Sequence, residues 1–316
     1  MLFVEMYGRL GNQMFRYAMA RSIQLKYYPE DNIIINFNNL KGPNILVDDS
    51  FRNELINFQI NEYKIYEKKG KVLFNETTFF QKFIFLIFKL KIGSIKERNM
   101  TNVIRKTNRL STVLNKCGIY WSYLGYQKPL KSKFKNKFIS GNFESSQYFN
   151  DIKPILKKEF TPKKNILSHN IELMEKIQTT NSVCLSVRRG DFVQDKNLAE
   201  IHSVTSIHYF EEAMNVILNK IDNPVFFIFS DDVEWVKKNI DFKDYEVYSE
   251  IGNDPVWEKL RLMYSCKNFI ISNSTFSWWA QYLSDNDEKL VICPSKWFNS
   301  DYVGDLIEDD FITIEV

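Results

Sequence analysis

The chain has 316 residues, 44% of them apolar and 26% charged, with a formal net charge of +3. That length suits two domains of ordinary size, and that balance excludes a disordered or fibrous polypeptide. No uncharged apolar run reaches about 18 residues, which argues against a spanning helix, and Met1-Leu-Phe-Val-Glu-Met6 lacks the basic and apolar regions of a secretory signal.

The first predicted element is a strand at Leu2–Met6. Gly8-Arg-Leu-Gly-Asn-Gln13 then turns into a helix running from Met14 to about Tyr27, and a second strand spans Asn32–Phe37. This is a β-α-β unit with its glycine-rich turn at the carboxyl end of the first strand, the edge where open α/β sheets bind ligands. Residues 51–150 hold 19 Lys and Arg against 6 Asp and Glu. Such a segment suits an acidic substrate, an anionic membrane or nucleic acid, or simply solvent. Within it, Phe79–Lys91 is too short and too lysine-punctuated to cross a bilayer. Two readings fit: a surface helix that settles on anionic lipid, or, preferred here, a core helix with Lys82 and Lys89 on one solvent face.

The passage 151–181, with its prolines and lysines, divides an N-terminal lobe (1–160) from a C-terminal lobe (161–316). In the second lobe strands and helices alternate: strand 183–188, helix 207–220, strand 224–229, helix 233–240, strand 245–248, helix 255–266, strand 268–272, helix 277–284 and strand 289–293. That alternation predicts an α/β fold with a doubly wound parallel sheet. Residues 201–316 are acidic, with 9 Lys and Arg against 21 Asp and Glu. Cys117, Cys184, Cys266 and Cys293 form no C-x-x-C pair and read as reduced core thiols of a cytoplasmic protein.

Three strands of the second lobe end in groups that an apolar core rejects. The strand Ser182–Val187 ends in Arg188-Arg189-Gly-Asp191. Paired guanidinium forks at a strand end match a phosphate or pyrophosphate, although a structural ion pair also explains them. The strand Val225–Phe229 ends in Ser230-Asp231-Asp232, whose carboxylates accept hydrogen bonds from a base or ribose; a helix cap accounts for one of the two. The strand Phe269–Ser272 leads to Asn273, Ser274, Thr275 and Ser277 at a helix start, where hydroxyls and free backbone N–H groups hold an anion. Together they describe a nucleotide-diphosphate site. Adjacent Trp278 and Trp279 are not both expected to face the core, which leaves one to stack on a sugar or base. Asp285-Asn-Asp287 reads as a solvated turn, not a metal site. No phosphate-binding G-x-x-x-x-G-K-[ST] loop is present.

Gly8-Arg-Leu-Gly-Asn-Gln-Met-Phe15, Val187-Arg-Arg-Gly-Asp-Phe192, Phe229-Ser-Asp-Asp232 and Ser272-Asn-Ser-Thr-Phe-Ser-Trp-Trp279 resemble, in order, the motifs of the α-1,2-fucosyltransferases of glycosyltransferase family 11. The resemblance implies a two-lobed GT-B type fold. It also implies transfer of L-fucose, with inversion, from GDP-L-fucose to the 2-hydroxyl of a terminal galactose, with no metal and no further cofactor. Arg188, Asp191 and Asn12 are then the catalytic residues. Gly11, Gln13, Ser186, Arg189, Asp231, Asp232, Asn273, Ser274, Thr275 and Ser277 contact the donor.

Ser186 stands where the family usually has histidine. No general base is singled out among Asp191, Asp195, Glu200 and His208. The expected partners are GDP-L-fucose and a galactose-terminated oligosaccharide, free or lipid-linked, and not nucleic acid. The expected place is the cytoplasm, with peripheral contact at the inner face of an anionic membrane as a hypothesis. Competing readings are a GDP-fucose-dependent transferase of another linkage and a non-catalytic nucleotide- or glycan-binding homologue.

Overall fold

Leu2–Glu5 is buried along its whole length, as a strand inside a parallel sheet must be. In the computed structural model it is β1 of the first of two units, Met1–Phe160 and Thr161–Val316. The structure describes residues 1–38, 40, 51–95, 99–189, 204–250 and 252–316.

In the first unit β1 is followed by α1 (Leu10–Tyr27), β2 (Ile33–Asn36), β3 (Lys64–Ile65), α2 (Val72–Asn75), α3 (Phe79–Gly93), α4 (Met100–Lys116), β4 (Ile119–Ser122), β5 (Lys137–Gly141) and α5 (Lys153–Glu159). All strand pairs are parallel, in the order β3-β2-β1-β5-β4. The chain steps outward from β1 to β3, resumes at the far edge with β4, and returns inward to β5 beside β1. Phe3, Phe85, Phe88, Leu114, Ile119 and Phe138 pack one face of this sheet. At the end of β5, a Cβ on Gly141 would lie 2.1 Å from the Ser122 carbonyl oxygen, so only glycine lets β4 and β5 close there.

α3 packs one face into the core, as the preferred reading of its sequence expects. A Thr78–Gln81 capping box starts it, and Gln81, Phe85 and Phe88 turn inward. Lys82 and Lys89 are exposed, but so is a second row of apolar side chains.

The second unit runs α6 (Ile171–Thr179), β6 (Asn181–Val187), α7 (Ile207–Lys220), β7 (Pro224–Ser230), α8 (Val233–Asn239), β8 (Val247–Ser249), α9 (Val256–Tyr264), β9 (Asn268–Ile271), α10 (Thr275–Leu283), β10 (Val291–Pro294) and β11 (Ile312–Ile314). Its six parallel strands are ordered β11-β10-β9-β6-β7-β8. The chain steps outward from β6 to β8, returns to β9 on the other side, and steps outward again to β11. This is the doubly wound order, with its reversal between β6 and β9. Each strand and helix expected here forms within a few residues of its predicted bounds. β11, and β3 to β5 of the first unit, were not anticipated.

Candidate functional site

A parallel sheet leaves a crevice outside the carboxyl ends of its strands where the winding order reverses, because the flanking connections there leave in opposite directions. The second unit has such an edge.

In the second unit that edge joins the ends of β6 and β9. The Ser272 amide donates to the Ser186 carbonyl at 3.1 Å, holding the strand ends together. Beyond β6, Arg188 Nη1 lies 2.9 Å from Asp231 Oδ2, with the two side chains 28% and 26% exposed. Asp231 Oδ1 accepts from the Arg189 amide at 2.9 Å. One carboxylate at the end of β7 thus fixes both the fork of Arg188 and the turn that follows it.

Asp232 caps α8, its Oδ1 accepting from the Trp235 amide at 3.1 Å, while its Oδ2 lies 3.5 Å from Arg189 Nε. The Arg189 guanidinium carbon stands 3.6 Å from the centre of the Trp235 ring, a cation–π contact. Beyond β9, Ser274 is the residue preceding α10, and its side chain makes no capping hydrogen bond. The first turn of α10, with Ser274 and Thr275 partly accessible, therefore keeps the anion-binding character of a helix start on the same sheet edge as Arg188.

The structure places several of the expected donor contacts below the surface of this edge. Ser186 and Ser277 are 5% and 1% exposed, and their hydroxyls bond each other at 2.6 Å, tying β6 to α10 below the surface. Ser277 does not cap the helix. Asn273 is 4% exposed, and its Nδ2 donates to the Trp297 carbonyl at 3.0 Å. Trp278 and Trp279 are both fully buried, stacked edge-to-face at 5.2 Å, so neither is a platform for a sugar. A helix flanked by protein on two sides can bury adjacent side chains, a possibility that the single-face argument omitted.

Asp285 and Asp287 are exposed, and Asn286 Nδ2 donates to the Lys267 carbonyl, as in a solvated turn. Among the described residues no three His, Cys, Asp or Glu side chains group as metal ligands. Asp191, Asp195 and Glu200 lie outside the described residues, and His208 is exposed at the start of α7.

In the first unit the ends of β1 and β5 lie side by side. Gly8 turns the chain at φ +76°, where a side chain is strained, and its missing Cβ would meet Asn12 at 3.1 Å. Gln13 is wholly buried: its Nε2 donates to the Gly8 and Arg52 carbonyls and its Oε1 accepts from the Glu54 amide. Gln13 therefore holds the turn in place and is not open to a ligand. Gly11 is buried in the first turn of α1.

Asn12 is placed otherwise. Its Nδ2 donates to Glu144 Oε1 at 3.2 Å. Glu144, just past β5, is a candidate that sequence reasoning missed. Phe143 before it has φ +56°, a conformation that a bulky residue holds only where its surroundings impose it, and one concentrated at functional sites. Below the pair lies Arg16, 4% exposed, donating to the Tyr7 and Asn12 carbonyls and to Asn142 Oδ1.

Glu144 keeps partial access to solvent, yet protein surrounds it closely enough that desolvation pushes its carboxyl up to about 7, against the opposing pull of the Arg16 charge. Burial likewise brings Arg16 down to about 10, so it stays charged near neutrality. The result is a carboxylate that changes charge near pH 7, held by an asparagine over a fixed positive charge. A signal for it existed in the sequence: a glycine three residues before a glutamate, at the end of an apolar strand.

Two units, each built on its own parallel sheet with the second doubly wound, define a GT-B type fold. The chain belongs to glycosyl transferase family 11, whose description matches residues 1–314. It is similar to an α-1,2-colitosyltransferase of Escherichia coli, with 29% identity over 92% of this chain and 90% of that protein. It is also similar to the O-antigen biosynthesis glycosyltransferase WbnK of Escherichia coli, with 26% identity over 97% and 98%. A galactoside 2-α-L-fucosyltransferase of Caenorhabditis elegans is 28% identical over 59% of this chain and 54% of that protein. Among solved structures, the NodZ α-1,6-fucosyltransferase crystallised with GDP superposes at a TM-score of 0.50 with 14% identity, covering 89% of this chain and 92% of that one. At that identity the likeness concerns the fold.

Proposed function

We propose that the chain moves L-fucose from GDP-L-fucose to the 2-hydroxyl of a terminal galactose, the second unit taking the donor and the first the acceptor. The observation that carries this reading is the convergence of Arg188 and the start of α10 on the reversal edge between β6 and β9. Transfer is a single displacement with inversion. The acceptor oxygen forms a bond to the fucose anomeric carbon as the bond from that carbon to the β-phosphate oxygen breaks. GDP departs with the electron pair, and Arg188 with the α10 N-terminus receives its charge.

Asp231 and Asp232 act first as anchors for the two arginines, which places direct reading of the guanine by either carboxylate second. Glu144 takes the hydroxyl proton: it is ionised above about 7 and fixed in direction by Asn12. Arginine and helix N-terminus supply positive charge to the leaving diphosphate, so the reaction is expected to proceed in EDTA.

The test is GDP release from GDP-fucose with and without lactose or N-acetyllactosamine, beside Arg188→Ala. Acceptor-dependent release that the variant loses supports the reading. Tight donor binding with no release on any galactoside points to the non-catalytic alternative or to another acceptor and linkage. A second donor has a specific basis in the colitose-transferring relative. Running GDP-fucose against GDP-colitose at equal concentration decides between them by the ratio of kcat/KM.

A further inference from the structure

The first unit presents an apolar face that stays exposed among the described residues. Phe79, Phe83, Leu86 and Leu90 on α3 are 86%, 52%, 57% and 66% exposed. At 100° per residue these four fall within an arc of about 60°, opposite the face that packs into the core. Single exposed apolar side chains are ordinary. Four large ones in register along a 15-residue helix form a continuous strip, and such strips mark contact surfaces.

The strip is bordered by cations. Lys82 and Lys89 lie along one side and Lys91 along the other, all exposed. The Lys89 ammonium stands 5.5 Å and 5.3 Å from the centres of the Phe85 and Trp121 rings, a cation–π contact at the edge of the strip. Phe80, beside the strip, stacks on Phe134 at 6.2 Å, which brings the loop carrying exposed Lys133 and Lys135 to the same helix. Residues 77–143 contain fourteen Lys and Arg against one acid, Glu97. Of the described cations among them only Lys137 is buried, paired with Asp31.

We propose that this face of α3 docks the protein on an anionic lipid bilayer, with Phe79, Phe83, Leu86 and Leu90 in the acyl boundary and the bordering lysines among the headgroups. A bilayer accepts both halves of the pattern, apolar area and positive charge. A symmetric pairing of two copies through this face would set two strongly positive surfaces against each other. Nucleic acid would take the charge but gives an aliphatic strip no partner. The contact is peripheral: no helix among the described residues is long and apolar enough to cross a membrane. The surface stands independently of the transferase reading, and a lipid-linked acceptor would give it a purpose.

The experiment is co-sedimentation of the full chain with vesicles of phosphatidylcholine alone or with about one-third phosphatidylglycerol, at low and raised salt. Binding to the anionic vesicles only, weakening as salt rises, is expected. Phe83→Ser/Leu86→Ser lowers partition about tenfold or more, and Lys82→Glu/Lys89→Glu lowers it at least about fivefold per lysine. Both variants keep wild-type thermal stability and GDP release on a soluble acceptor, which separates failure of docking from failure of the transferase. The proposal is overturned by absence of binding to anionic vesicles at low salt, or by equal binding to neutral ones. A dimer seen by light scattering that Phe83→Ser/Leu86→Ser disperses overturns it in favour of self-association. Salt-sensitive oligonucleotide binding that survives the same variant, without vesicle binding, overturns it in favour of nucleic acid.

Discussion

Glu144→Gln is expected to weaken the reaction and strengthen the fold. Glutamine keeps the oxygen that accepts from Asn12 and the size of the side chain, but it cannot take a proton. Loss of a general base costs about 10² to 10⁴ in kcat/KM. Because the native carboxyl titrates near 7, the wild-type rate falls as pH drops below that value, and the variant loses this acid limb.

Stability moves the other way. The folded group sits at about 7 against an ordinary 4.5, so between those values the native state binds more protons than the unfolded one. Stability therefore declines as pH rises from 4.5 to about 7 and stays low above it. A shift of about 2.5 units corresponds to about 3 kcal/mol at most, and partial solvent access lowers this to about 1–3 kcal/mol. Urea melts of both proteins between acid and alkaline pH should coincide near pH 4 and separate in favour of the variant above 7. The reasoning fails if the variant retains the wild-type rate or acid limb, or if it is the less stable protein at pH 8.

Arg188→Ala should weaken GDP binding by calorimetry about 10²-fold while moving the melting temperature little, because Asp231 still holds the Arg189 amide. Gly8→Ala places a methyl against Asn12 at φ +76° and should destabilise by about 1–2 kcal/mol in chemical denaturation. Ser186→Ala leaves the buried Ser277 hydroxyl without its partner, a cost of about 1–2 kcal/mol, and Ser186→Ala/Ser277→Ala should recover most of it.

The second unit was legible because its signal is local. β6, β7 and β9 are largely apolar runs that end abruptly in charge or hydroxyl, and the helices between them keep a clear period. What the sequence concealed was which polar groups serve the interior. Arg188 reads alike whether it faces a phosphate or Asp231, and Gln13 or Ser186 reads alike whether it meets a ligand or a backbone carbonyl. The first unit was harder. Its strand β3 has two residues, β4 and β5 interrupt their apolar residues with Ser and Lys, and the strand order that sets Glu144 beside Asn12 depends on pairing across more than a hundred residues. Long-range pairing leaves no periodicity to read.

Each unit is a single uninterrupted stretch of chain, the first ending at Phe160 and the second beginning at Thr161. A genetic exchange near that junction would therefore replace one half whole, with its sheet and core intact, and leave the other untouched. Under the assignment of acceptor to the first unit and donor to the second, one crossover can alter what is decorated without altering the sugar that is added.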